Sequence, residues 1–390
     1  MGLRSVGDLG PRETRATHAG IHQRPPDCRF APAPAGEYAN ACIRRRTGQP
    51  VRTSALGGAN ITAMKTQMLR GISPWFAAIF LAGAITQTAA QGDPMNSWQL
   101  RSEYNTADMA YGNGVFVGIY SGDGIYAGAF ATSQDGINWT RYISPFPVSF
   151  QRIVFATGSF FAIGPSPTVS TNSIIITSSD GQTWTQVYET TGAIRDGVAG
   201  NGQLVFVGDK IIATPTVGGP WREFQVFGLT CQGVTFGNGR FVATATAAPS
   251  WPSASHIISS SDGWVWRYDY GPVSTQGFGG IGFGTNLFVA TWSTNENGGC
   301  RAGFLTSTNL QDWQAVTVTN RGSYLSGLSL GRATFGGDQF VGVFGPWAYS
   351  STNGINWVLR PLRASGIAFG QGTFVAGGSS GIWQSGMLTY

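Results

Sequence analysis

The sequence predicts an all-β fold, a closed ring of seven four-stranded antiparallel blades, and three observations carry that prediction. The 390-residue chain holds 57 Gly and 13 Trp and is only 11% charged, against roughly 25% charged in an ordinary soluble domain. From residue 98 onward a two-part phrase recurs, with its tryptophans at 98, 139, 184, 221, 266, 313 and 357. Spacings of 37 to 47 residues hold four short strands, the unit of a propeller blade. The ends are complementary: the chain from 98 opens on a lone tryptophan strand, Trp98-Gln99-Leu100, and closes on a unit, Ile367 to Ser385, whose own tryptophan strand is missing. An N-terminal strand that completes the last blade leaves no unpaired seam.

The first half of the phrase is an aromatic, a glycine turn and a Phe-Val type run. Tyr111 to Val117, Phe236 to Val242 and Phe369 to Val375 are the clearest copies, and Phe155, Ala199, Phe283 and Phe335 begin weaker ones. An Asn-Gly or Gly-x-Gly turn between short β-type runs predicts a hairpin, because a two-residue turn needs φ > 0 at its centre. The second half is Ser-x-Asp-Gly-x-x-Trp, complete at Ser133–Trp139, Ser178–Trp184 and Ser260–Trp266; Asn353 and Asn309 replace the acid in two further copies, and the copy ending at Trp221 has lost it. Short polar side chains at turns bond their own backbone. Asp135, Asp180, Asp262, Asn309 and Asn353 are therefore expected to be structural.

Ahead of the repeats, Lys65 and Arg70 precede an apolar stretch from Ile72 to Ile85, followed by Thr88, Ala89 and Ala90. That order reads as a secretory signal over 64–90, cut after Ala90, and the stretch is short of the ~18 residues of a membrane span. Residues 1–63 read as a start codon set too early, with initiation at Met64 or Met68; the second reading is a two-part organelle leader. The folded unit is expected over 91–390, secreted or periplasmic, monomeric, and free of the membrane once the signal is cut.

The formal charge of +5 belongs to that leader: residues 1–90 carry 11 basic and 4 acidic groups, residues 91–390 carry 13 and 15. A body with net charge −2 and one lysine, Lys210, cannot supply many phosphate contacts, which excludes nucleic acid. Its one histidine, His256, excludes multi-histidine metal sites, so no metal or cofactor is expected; His256 itself reads as a surface or hydrogen-bonded side chain. Cys231 and Cys300 fall in adjacent blades of an exported domain, and the topology permits a bridge between them, the alternative being two separate buried thiols.

With these motifs, residues 98–390 resemble the BNR or Asp-box repeat superfamily, which includes sialidases, sortilin-type receptors and a photosystem II assembly factor, all propellers. They also resemble secreted bacterial proteins with similar repeats. One departure is plain: the family box reads Ser-x-Asp-x-Gly-x-x-Trp, whereas here glycine follows Asp135 directly. A sialidase would imply an arginine triad, its first member in Arg-Ile-Pro, and a Tyr–Glu nucleophile pair. Here Arg152-Ile153 is followed by Val154, and no recognisable set forms.

Function is expected on the face opposite the box turns, where the repeats are interrupted at Ser121 to Tyr126, Pro165 to Ser173, Ala247 to Ser255 and Ser293 to Ala302. Long loops on a rigid ring are where binding concentrates. Tyr120, Tyr126, Trp251, Trp292 and Trp347, with Glu296 and Arg301 as charged neighbours, are the candidate ligand residues; the competing reading packs these rings onto their own loops. The sequence thus supports a non-catalytic binder of a glycan, peptide or protein surface. The alternatives are a sialidase-like glycoside hydrolase or lyase with an unrecognised site, and an assembly-factor-like propeller behind an organelle leader.

Overall fold

The computed structural model describes residues 92–121, 128–214, 216, 218–247, 254–273, 276–296, 299–318, 330–344 and 347–388. The segments read from the sequence as a leader and a signal, 1–63 and 64–90, lie outside the described residues. Seven four-stranded antiparallel sheets follow one another in the chain. Blades one to six span 106–143, 152–191, 194–224, 229–273, 276–317 and 330–363. Blade seven takes three strands from 366–384 and its outer strand from Gln99–Ser102, with Gln99 opposite Gln384, Leu100 opposite Trp383 and Ser102 opposite Ile382. The first strand of each blade packs beside the first strand of the next, and blade seven returns to blade one. The protein is a seven-bladed β-propeller closed by its N-terminal strand.

Local chemistry makes each blade. The first hairpin of blade one turns at Asn113 (φ 49°) and Gly114 (φ 77°), the left-handed pair that matches strand twist. At the turn between the third and fourth strands Asp135 Oδ1 accepts the Ser133 hydroxyl at 2.9 Å and the Ile137 and Asn138 amides at 2.8 Å each, while the Trp139 indole donates to Gly136 O at 3.1 Å. Blades two and four repeat this around Asp180 and Asp262. Asn309 and Asn353 accept the same pair of amides in blades five and six. The amide of Asn138 first, helped by that of Ile137, holds the Asp135 carboxyl well below the usual carboxylate range despite some desolvation. Asp180 and Asp262 are lowered in the same way: burial works against Asp180, and the amides of Thr183 and Gln182 outweigh it.

The core is distributed between blades. Trp184 of blade two stacks on Phe130 of blade one at 4.1 Å, and Trp357 of blade six on Phe304 of blade five at 3.4 Å. The N-terminal segment is held by more than its strand pairing. Met95 is fully buried, the Trp98 indole donates to Met95 O at 2.8 Å, and the buried Arg360 guanidinium of blade six donates to Asp93 Oδ2 at 2.6 Å and Asn96 Oδ1 at 2.9 Å.

Where the first strands reach their hairpins they repeat one contact. A methyl group on Gly112, Gly200, Gly237, Gly284, Gly336 or Gly370 would overlap the ring of Phe155, Phe236, Phe283, Phe335, Phe369 or Tyr111 on the next blade, respectively. Between blades two and three both partners differ: Ala156 stands in the glycine position and Ala199 in the aromatic one, and both belong to one cluster. Loss of the ring makes room for the methyl, so the exception obeys the same packing rule.

Two expectations are corrected. The interruption over Ser293 to Ala302 is not a loop: the second and third strands of blade five run on as Leu287–Glu296 and Gly299–Ser307, with Asn295 opposite Cys300 and Glu296 opposite Gly299. The Cys231–Cys300 bridge is not formed, because Cys231 is a free thiol, 2% exposed, pushed up to about 12 by burial. The side chain of Cys300 lies outside the described residues.

Candidate functional site

The first strands enter the ring from the face opposite the box turns and converge there on the channel mouth. Aligned on their last residue, the position four earlier is Asp108, Arg152, Asp196, Gly233, Gly280, Arg332 and Gly366 in blades one to seven. The repeat is silent about this level, and only here do the strands carry charge toward the axis. Pairing slips at this level in blades one, three, four, five and six, at the glycine positions as well as the charged ones, and runs on regularly at Arg152, so the bulges belong to the repeat.

The four charged groups meet. Arg152 Nη1 lies 3.4 Å from Asp108 Oδ2 and its Nε 3.7 Å from Asp196 Oδ1; Arg332 Nη2 lies 3.6 Å from Asp108 Oδ2 and its Nη1 3.5 Å from Asp196 Oδ1. The carboxylates lie deepest, 4% and 0% exposed, with the guanidiniums at 21% and 22%. Each carboxylate is also tied to the following blade: the Ile153 amide donates to Asp108 Oδ2 at 3.0 Å and the Val234 amide to Asp196 Oδ2 at 3.1 Å. Desolvation works to lower the Arg152 pKa, but Asp108 and Asp196 overcome it and raise it, so Arg152 stays a cation. Beside Arg332 runs a central cavity of about 280 Å³, lined by small residues such as Ala110, Thr235 and Gly282 together with larger apolar ones such as Met109, Ile153 and Phe283.

A second cavity, about 190 Å³, opens between blades two and three on the same face, lined by Gln151, Ser170, Thr171, Asn172 and Ser173 with backbone of Gly192 and Ala193. Its walls offer hydroxyl and amide groups. Asn172 Nδ2 donates to Glu189 Oε1 at 2.9 Å, and Ser173 Oγ to Gly192 O at 2.8 Å.

The aromatic candidates are not assembled into a platform. Trp292 is 4% exposed and packs in the blade-five core with Phe278, a correction to its expected display. Trp347 is half-buried with the Arg363 guanidinium 4.9 Å over its ring, and Tyr120 is half-buried, edge-on to Tyr104 at 5.7 Å with Arg141 above it. Arg301 is exposed on the third strand of blade five. Tyr126 and Trp251 lie outside the described residues, as does the side chain of Glu296. His256 is also corrected: it is 9% exposed against Tyr268, its Nδ1 has no partner among the described residues, and burial lowers its pKa. What sequence reading missed was the charged ring, and aligning the seven first strands on their closing residue, glycine in six and Ala156 in blade two, would have found it.

This geometry defines a propeller with a charged axial mouth. Against solved structures the chain is similar to the Dos1 propeller, at 11% identity over 75% of this chain and 95% of that one with a TM-score of 0.50. It is also similar to the β-propeller domain of the Trilobed protease from Pyrococcus furiosus, at 9% identity over 74% and 98% with a TM-score of 0.48. At such identities the likeness is one of fold. No family and no curated protein matches the sequence.

Proposed function

We propose that this chain is an exported, non-catalytic binding propeller, similar to the BNR or Asp-box proteins, whose loop face holds a glycan, peptide or protein surface. The observation that carries the reading is the departure from the repeat at one level. The hairpin end of the channel repeats the same contact blade after blade, whereas the mouth places charge on blades one, two, three and six only. A ring that needed charge merely to close would repeat it. The chemistry favours binding over hydrolysis: Asp108 and Asp196 each face two guanidiniums and accept a backbone amide, so both are engaged by partners within the ring, whereas a glycosidase presents a pair of carboxyl groups to the scissile bond. The groove between blades two and three, rich in hydroxyl and amide groups, is the matching contact for a polar ligand. The full chain screened on a glycan and peptide array, and in parallel on chromogenic glycosides, tests this: saturable binding without turnover is expected, and turnover abolished by Asp108→Asn would overturn it.

A further inference from the structure

The two arginines of the mouth are not equivalent. Arg152 stands on the blade between those of its two carboxylates, and its Nε donates to Arg195 O at 3.2 Å. Arg332 comes from blade six, with blade seven between it and Asp108 and blades four and five between it and Asp196. The three intervening positions are Gly366, Gly233 and Gly280. Glycine at each leaves the axis clear for one long side chain.

Arg332 crosses that space to contacts of 3.5 and 3.6 Å, as long as the 3.4 and 3.7 Å of Arg152 and beyond the ~2.7 to 2.9 Å of a tight charge-assisted hydrogen bond, but without the second hold that Arg195 O gives Arg152. Among the described residues its one hydrogen bond is the long one to Asp196. Below it a void of about 10 Å³ is bounded by Asp108, Arg152, Thr334 and Gly366, and the central cavity adjoins it. Without Arg332 the ring would hold two carboxylates and one guanidinium, a site with one negative charge to spare. We propose that the mouth is a receptor for a single guanidinium group, an arginine side chain presented by a peptide or protein, and that Arg332 is the internal occupant which that group displaces.

The chemistry is a cation exchange with no bond made or broken. An incoming guanidinium that enters along the axis reaches both aspartates in the fork geometry suited to carboxylates. Arg332, held by one long hydrogen bond, swings to solvent as the incoming guanidinium takes over both carboxylates, so that neither is left unpaired. The inference rests on the loop-face reading and narrows it to an arginine-bearing ligand.

The test uses the full chain and N-acetyl-arginine methylamide, whose termini are uncharged, with the citrulline analogue as the isosteric neutral control. Calorimetry is expected to show weak, saturable binding of the arginine probe to the unaltered chain, at least about tenfold tighter binding to Arg332→Ala, and none of the citrulline analogue to either. Asp196→Asn placed on Arg332→Ala should remove binding. Arg332→Gln, which keeps the aliphatic stem and a polar end but loses the charge and the reach to the aspartates, gives the same gain while opening less space than alanine, and melting curves verify that each variant is folded. No tightening in either folded Arg332 variant, equal binding of citrulline, or retention of sulfate in place of the cation would overturn the proposal. If the arginine probe fails while an array glycan still binds, only this inference falls; if nothing binds the loop face, the broader reading falls with it.

Discussion

The two ends of the channel are built from the same seven strands and obey different rules. At the hairpin end each glycine lies beneath an aromatic ring of the next blade, and the one substitution, Ala156, comes with its compensating Ala199. Four residues earlier, at the mouth, neighbouring blades carry Asp, Arg or Gly with no period. Packing constrains the first end because a methyl has nowhere to go. The mouth opens to a cavity and to solvent, so side chains there can vary while the ring stays closed. Regularity marks what the fold requires, and the break in regularity marks what the fold leaves available for a ligand.

The largest effect should come from removing the N-terminal strand. Deleting residues 92–102 leaves blade seven with three strands, strips buried Met95 and half-buried Trp98 from their cluster, and leaves Arg360 without Asp93. Burial of two large apolar side chains alone is worth about 3 to 6 kcal/mol, so denaturant unfolding should shift by at least that much. A melting temperature within a degree of the parent would mean that the seam is not closed as described.

Next is the hairpin end itself. Gly284→Ala drives a methyl into Phe335 and should cost about 1 to 3 kcal/mol, whereas Ala156→Gly opposite Ala199 should cost ~1 kcal/mol or less. A double-mutant cycle sharpens the contrast: Phe335→Ala should recover part of the loss caused by Gly284→Ala, reproducing the Ala156–Ala199 pair. Additive losses would show that the two residues do not share one space.

The smallest effect concerns pH and compares Asp turns with Asn turns. Because Asp135, Asp180 and Asp262 have folded pKa values below the ordinary aspartate value, their contribution is present above about pH 4 and is lost as pH falls through the folded values. Asn309 and Asn353 make the same amide contacts without titrating. Replacing the three aspartates by asparagine should therefore flatten the stability profile below pH 4 and leave it little changed at pH 7. A profile with an unaltered acid limb would contradict that assignment.

These comparisons also explain what could be read in advance. Blade number, strand order and the closing strand are written in short-range chemistry: Asn-Gly turns, Ser-x-Asp turns and a tryptophan at fixed offsets. Trp292 was misplaced because an interruption was assumed to be a loop. It continues the alternate positions Phe288 and Ala290 into the blade-five core, and the extra residues lengthen both strands instead of leaving the sheet. The mouth was hidden for another reason. Asp108, Arg152, Asp196 and Arg332 share no motif and lie up to 224 residues apart in the chain, and they become one site only when seven strands are superimposed on the axis.

The account stands most directly on one comparison of unfolding free energies by denaturant, Arg332→Ala against Gly284→Ala. If the mouth is available for a ligand and the hairpin end is required by the fold, Arg332→Ala, which leaves two buried carboxylates facing one guanidinium, loses stability that saturating N-acetyl-arginine methylamide restores, while the loss of about 1 to 3 kcal/mol in Gly284→Ala is unchanged by the probe. A loss in Arg332→Ala that the probe does not restore would make the charged ring a structural strut and contradict the division between the two ends.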